Sequence, residues 1–89
     1  MYRYKIQPSL QRILEKLYKK DNFTRERILK KIQEIISSEN VEHYKNLKKP
    51  LQHLKRVHIK EKVLVFKFDK TNNLISFEDF DHHDKIYLK

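Results

Sequence analysis

The apolar positions of this chain change their period twice, and those changes outline the fold. Tyr2, Tyr4 and Ile6 alternate with Arg3 and Lys5, which predicts a half-buried strand with the three apolar side chains inward. Pro8-Ser9 then opens a helix, proline being well tolerated in a first turn. Leu10, Ile13, Leu14, Leu17 and Tyr18 fall on one face of it. Asp21-Asn22 breaks the pattern, and Thr24 is positioned as the N-cap of a second helix with a stripe of Ile28, Leu29, Ile32, Ile35 and Ile36. A short link between two amphipathic stripes predicts a helical hairpin whose stripes are core.

Ser37 to Asn40 ends the second helix. Val41, Tyr44 and Leu47 either add one more turn or anchor a surface loop. From Leu54 the period returns to two. Val57 and Ile59 face one side of a strand, leaving Leu54, Arg56, His58 and Lys60 on the other. A strand from Val63 to Phe68 follows, with Leu64, Phe66 and Phe68 on one face. The polar run Asp69 to Asn73 makes a turn, and Leu74 to Phe80 makes the last strand. The order is β-α-α-β-β-β: an α+β fold in which a two-helix hairpin covers one face of a small, mostly antiparallel four-stranded sheet. The other face stays partly open and carries Arg56 and His58.

Length adds that residues 1–89 make a single domain. Charge adds a partner class. The chain holds 21 Lys and Arg against 12 Asp and Glu, for a net +9. Residues 1–60 carry 16 basic and 6 acidic side chains, so the excess is concentrated there. Between Lys45 and Lys60 stand Lys45, Lys48, Lys49, Lys55, Arg56 and Lys60 with no acid among them. Such a field attracts polyanions, nucleic acid foremost, although a lysine-rich solvated surface has the same composition. With no cysteine, disulfide and thiolate chemistry are excluded. No apolar run is long enough to cross a membrane and no secretory leader is evident, so a cytoplasmic location and no membrane partner are expected. Glycine is absent and charged residues are abundant, a composition compatible with a heat-tolerant source.

Candidate chemistry lies among the histidines. An unperturbed imidazole titrates near pH ~6.5, which suits His58 to move a proton at cellular pH. The competing reading is an ordinary surface histidine on a strand. His83 and Tyr87 are four apart and share a face whether the segment is helical or extended, although Tyr87 would equally well pack the chain end. Lys48, Lys49, Lys55, Arg56 and Lys60 are candidates to grip phosphates, and Arg56 can do so through paired hydrogen bonds. Asp79, Asp81, His82, His83 and Asp84 also invite a metal, but strand alternation points neighbours apart and no metal-ligand spacing is present. No metal or cofactor is expected.

The order Pro50-Leu51-Gln52, Arg56-Val57-His58-Ile59-Lys60, Val63 to Phe68, Phe77-Glu78 and His83-x-x-x-Tyr87 resembles the RelE/ParE toxin superfamily, most of all its YafQ-like branch. The resemblance is close over about the last forty residues and general before them. It implies the toxin of a type II toxin–antitoxin pair, a ribosome-dependent and metal-independent mRNA endoribonuclease. His58 and His83 then match the family's two site histidines and Tyr87 its late aromatic. Arg56 and, in reserve, Glu61 complete the catalytic set, with Lys48, Lys49, Lys55, Lys60 and Lys62 holding RNA. The implied partners are an acidic antitoxin with a helical segment, mRNA in the ribosomal A site and ribosomal RNA. Some positions depart from the pattern: His53 replaces a glycine, Lys62 a tryptophan, and Val63 an arginine common in RelE proteins. The same fold serves ParE-like inhibitors of DNA gyrase, and a catalytically inactive RNA-binding homologue is the third alternative.

Overall fold

The computed structural model describes residues 1–89 and contains four strands and three helices: β1 (Arg3–Ile6), α1 (Pro8–Lys20), α2 (Asn22–Ile36), β2 (Lys55–Ile59), β3 (Lys62–Asp69), β4 (Leu74–His82) and α3 (His83–Leu88). The strands lie in the order β1-β4-β3-β2. β1 runs parallel to β4, and the other two pairings are antiparallel. The α+β architecture read from periodicity is therefore the one observed.

The α1–α2 hairpin turns tightly at Asp21. Its Oδ1 accepts the Thr24 N–H at 3.1 Å and its Oδ2 accepts the Thr24 hydroxyl at 2.6 Å. Asp21, rather than Thr24, is thus the N-cap, and these two hydrogen bonds hold its carboxyl below the usual carboxylate range. Leu10, Leu14, Ile28, Ile32, Ile35 and Ile36 pack on Ile59, Leu64, Phe66, Ile75, Phe77 and Phe80 of the sheet. Burying a side chain of this size stabilises the fold by roughly 1.5–3 kcal/mol before the entropy of ordering it is counted. Two residues assigned to the interior lie outside it: Tyr18 is 64 % exposed under the Arg25 guanidinium, and Tyr4, on the edge strand β1, is 49 % exposed.

A bulge fixes which face each end of β4 presents. Val65 pairs with Asp79 but Phe66 pairs with Phe77, leaving Glu78 as an extra residue. Strict alternation would have put Asp79 and Asp81 beside Ile75 and Phe77, under the helices. The bulge shifts the phase by one, so Phe80 enters the core and both aspartates face the opposite side. The Glu78 carbonyl left over by the bulge accepts a hydrogen bond from the Ser9 hydroxyl at 2.7 Å.

Residues 41–52 take up both alternatives read for Val41, Tyr44 and Leu47. Val41–His43 form one 3-10 turn, and the remainder wraps around the β2 edge. Val41 and Tyr44 pack in the helix-side core, whereas Leu47, Leu51 and Leu54 join Val63, Val65, Ile86 and Tyr87 on the opposite face. The Arg56 N–H donates to the Lys45 carbonyl at 2.9 Å, so this segment covers the first half of the edge and leaves the His58 end free. The face opposite the helices is consequently only partly open, with a small apolar floor under the loop and α3.

Candidate nucleic-acid site

Cross-strand register places the side chains of the uncovered face in two rows. His58 stands opposite Val63 and Asp81; Arg56 stands opposite Val65 and Asp79. His58 is exposed and Arg56 half-buried, both on the side that alternation assigned to them. The end of the chain folds back over this face. α3 follows β4 without a loop, and Ile86 packs against Leu47, Val63 and Val65. On the same helix His83 and Tyr87, one turn apart, bring their rings edge to face with centroids 5.2 Å apart. The Tyr87 oxygen accepts the backbone N–H of Lys48. Its own hydroxyl proton thus remains available to donate, and the basic loop carrying Lys48 and Lys49 is fastened beside His83.

α3 is held at its far end by charge. Lys89 Nζ lies 2.6 Å from Asp79 Oδ2 and 3.0 Å from Asp81 Oδ2. Burial pulls the Lys89 ammonium downward, but hydrogen bonds and charge from the two aspartates outweigh it and leave its pKa raised. Asp81 behaves conversely: burial pushes it up, and Lys89, the His82 N–H and Lys85 bring it to a net lowering. Both carboxylates on the basic face are thereby countered by one lysine. The same strand geometry turns His82 to the helix side, away from Asp81, so the acidic and imidazole donors near the end of β4 are split between faces.

Four expected site residues fall elsewhere. Lys55 points to the helix side and is 9 % exposed. Its ammonium donates to the Glu42 carbonyl at 3.2 Å, the Tyr44 carbonyl at 3.0 Å and Asn46 Oδ1 at 3.1 Å, which uses all three of its protons. Lys55 is a staple for the wrapping loop, not a phosphate ligand. Lys60 occupies the β2–β3 turn at φ 58° and directs its Nζ over the Phe23 ring, 5.2 Å from the centroid. Lys62 turns to the helix side as well, 5.7 Å over Phe80. Glu61 sits in the turn between them and borders a small depression with Asp21 and Thr24, apart from His83 and Tyr87. What the sequence grouped as one basic surface is two: Lys48, Lys49, Arg56 and His58 with α3 on the uncovered face, and Lys60 and Lys62 at the end of the helical hairpin.

No family model matches the chain. A Methanocaldococcus jannaschii protein named "Putative toxin RelE4" is 53 % identical over 90 residues, spanning 100 % of this chain and 94 % of the relative. The chain belongs to the RelE toxin family. A second relative, an uncharacterised protein of Methanosarcina mazei, is 52 % identical over 88 residues, covering 98 % of this chain and 100 % of its own length. Among solved structures, the toxin–antitoxin complex RelBE2 of Mycobacterium tuberculosis superposes with a TM-score of 0.63 at 20 % identity, over 92 % of this chain and 98 % of the other. That likeness establishes the RelE fold.

This RelE-family chain also carries basic residues that the sequence reading assigned no role. Between α2 and the free end of β2 runs a groove of about 400 Å³, lined chiefly by Phe23, Arg27, Lys30, Lys31, Glu34 and His58. The signal was available in the polar side of α2, since Phe23, Arg27 and Lys30 follow the i, i+4, i+7 spacing of one helical face. No helix of the chain is long and apolar enough to cross a membrane.

Proposed function

We propose that this chain is the toxin of a toxin–antitoxin pair and acts as a ribosome-dependent mRNA endoribonuclease. The observation that carries the reading is that, in a RelE-family chain, the exposed His58 and the guanidinium of Arg56 share one face with the His83–Tyr87 pair and the Lys48–Lys49 loop. In the reaction, a base removes the proton of a ribose 2′-hydroxyl as that oxygen attacks the adjacent phosphorus. An acid then gives a proton to the departing 5′-oxygen, leaving a 2′,3′-cyclic phosphate. His58 and His83 are the two proton carriers. Arg56, Lys48 and Lys49 offset the charge that builds on the phosphoryl oxygens, and the Tyr87 hydroxyl donates to one of them. The nucleophile is already part of the substrate, so acid, base and cation suffice.

An acidic antitoxin segment covering this face would neutralise the net +9 chain and exclude RNA from it. The test is cleavage of mRNA on programmed ribosomes by the wild-type chain and by the His58→Ala/His83→Ala double variant. The expected loss is about 10²-fold or more, general acid–base catalysis by one group contributing roughly 10²–10⁴. Undiminished cleavage by the double variant removes the mechanism. Inhibition of gyrase supercoiling with translation intact replaces the reading with a ParE-like one.

A further inference from the structure

We propose that the groove between α2 and the β2 edge binds the single-stranded RNA flanking the cleaved phosphodiester, with Phe23 as the platform on which a base stacks. The substrate class rests on the ribonuclease reading above; the groove itself stands on its own geometry. Phe23 is 64 % exposed, although a phenyl ring on a helix beside a core is ordinarily turned inward. Two cations from different elements converge on it. Arg27 of α2 places its guanidinium carbon 5.7 Å from the ring centroid, and Lys60 of the β2–β3 turn places its ammonium at 5.2 Å. An exposed ring with two cations over it can exchange them for a stacked base, each cation passing to a phosphate that flanks the base.

The charge along the groove has the same sense. Glu34 is its one acid, and Lys31 holds it at 3.2 Å. Arg27, Lys30 and Lys60 take part in none of the ion pairs of the chain. Lys60, the residue whose ammonium lies over the Phe23 ring, also adopts a left-handed backbone, where glycine or asparagine is favoured. His58 belongs both to the groove wall and, by register, to the face carrying Arg56. A strand leaving that face over the uncovered end of β2 therefore runs directly into the groove. An acidic protein helix would instead need a continuous apolar stripe, and the groove offers only Phe23 and Ile59.

The chain has no tryptophan, so Phe23→Trp introduces a single indole reporter. The probe is a labelled 2′-O-methyl oligonucleotide, which lacks the 2′-hydroxyl and survives whatever the catalytic residues do. Its binding is followed by anisotropy together with the indole emission. Saturable quenching of the indole is expected, with about tenfold weaker binding for Phe23→Ala, whose fold is checked by its thermal transition. Replacing both Arg27 and Lys30 by Gln is expected to flatten the salt dependence by roughly 0.7 in log–log slope for each phosphate that is no longer neutralised. Binding that leaves the indole unquenched, Phe23→Ala binding like the wild type, or no binding by the wild type each overturns the proposal. Quenching by an acidic helical peptide but not by the oligonucleotide overturns it too, in favour of a protein partner. Failure of the ribonuclease reading would instead appear as intact ribosomal mRNA with RNA still held in the groove.

Discussion

On the helix side of the sheet, thirteen buried residues form one contiguous cluster, while on the opposite side only Leu47, Val63, Val65 and Ile86 are buried together. The first cluster joins both long helices to three strands and accounts for most of the burial that opposes chain entropy. The second is just large enough to seat a six-residue helix and a loop. What surrounds it is polar and holds the candidate site residues Arg56, His58, His83 and Tyr87, with Lys48 fastened to the Tyr87 oxygen. The contrast teaches that the bulk of the core and the candidate site residues lie on opposite faces of the same three strands. On the proposed reading, the face left unsealed by helices is the one that would admit RNA.

Substitutions sharpen that contrast. The largest effect on stability is expected from Phe66→Ala, which opens a cavity beneath both helices and costs about 3–5 kcal/mol, visible as a lowered midpoint in urea unfolding. Equal stability of this variant and the wild type would contradict the placement of the core. Next comes Lys55→Ala. It strands the carbonyls of Glu42 and Tyr44 and is expected to cost about 1.5–3 kcal/mol, with amide exchange accelerated over residues 41–47 in particular. On the proposed reading, RNA affinity should fall far less than for a change in Arg56, because the Lys55 ammonium is turned to the helix side and tied to the loop.

The smallest effect belongs to Lys89→Met, which frees Asp79 and Asp81 from their cation. Lys89 is about half exposed, so about 1 kcal/mol or less is expected, seen as faster exchange confined to α3. Its pH dependence has two limits. Asp81 titrates below its ordinary 3.8 in the folded chain, so its contribution is intact above that pH and lost as pH falls through the lowered folded value. Lys89 titrates above its ordinary 10.5, so its contribution is intact below that pH and lost as pH rises through the raised value. Docking of α3 that loosens near neutral pH would refute the clamp.

Much of this was legible in the residues. Period changes located both long helices and all four strands, and alternation put Arg56 and His58 on the uncovered side. The misplacements share one cause: tertiary pairing overrode a local pattern. Lys55 read as a free cation because its three acceptors come from a loop nine or more residues away. Alternation put Lys60 beside His58 and the resemblance gave Lys62 a part in holding RNA, but the tight turn between β2 and β3 places Lys60 over Phe23, and Lys62 lies on the helix side over Phe80. The α3 helix went unassigned because six residues bear little intrinsic helical signal without Ile86 to anchor them. Phe23 lies off the apolar stripe of α2, so periodicity carries no signal for it.

The unpaired Glu78 has a further consequence, for how this chain tolerates changes in length. Extra residues between Asp69 and Leu74 would enlarge a solvent-exposed hairpin tip and leave the register on either side intact. One residue gained or lost between Phe77 and Asp79 would instead swap inside for outside all the way to His82, driving two carboxylates under the helices and Phe80 into water. The sheet thus reads its sequence in two frames, and that single position is where one frame hands over to the other.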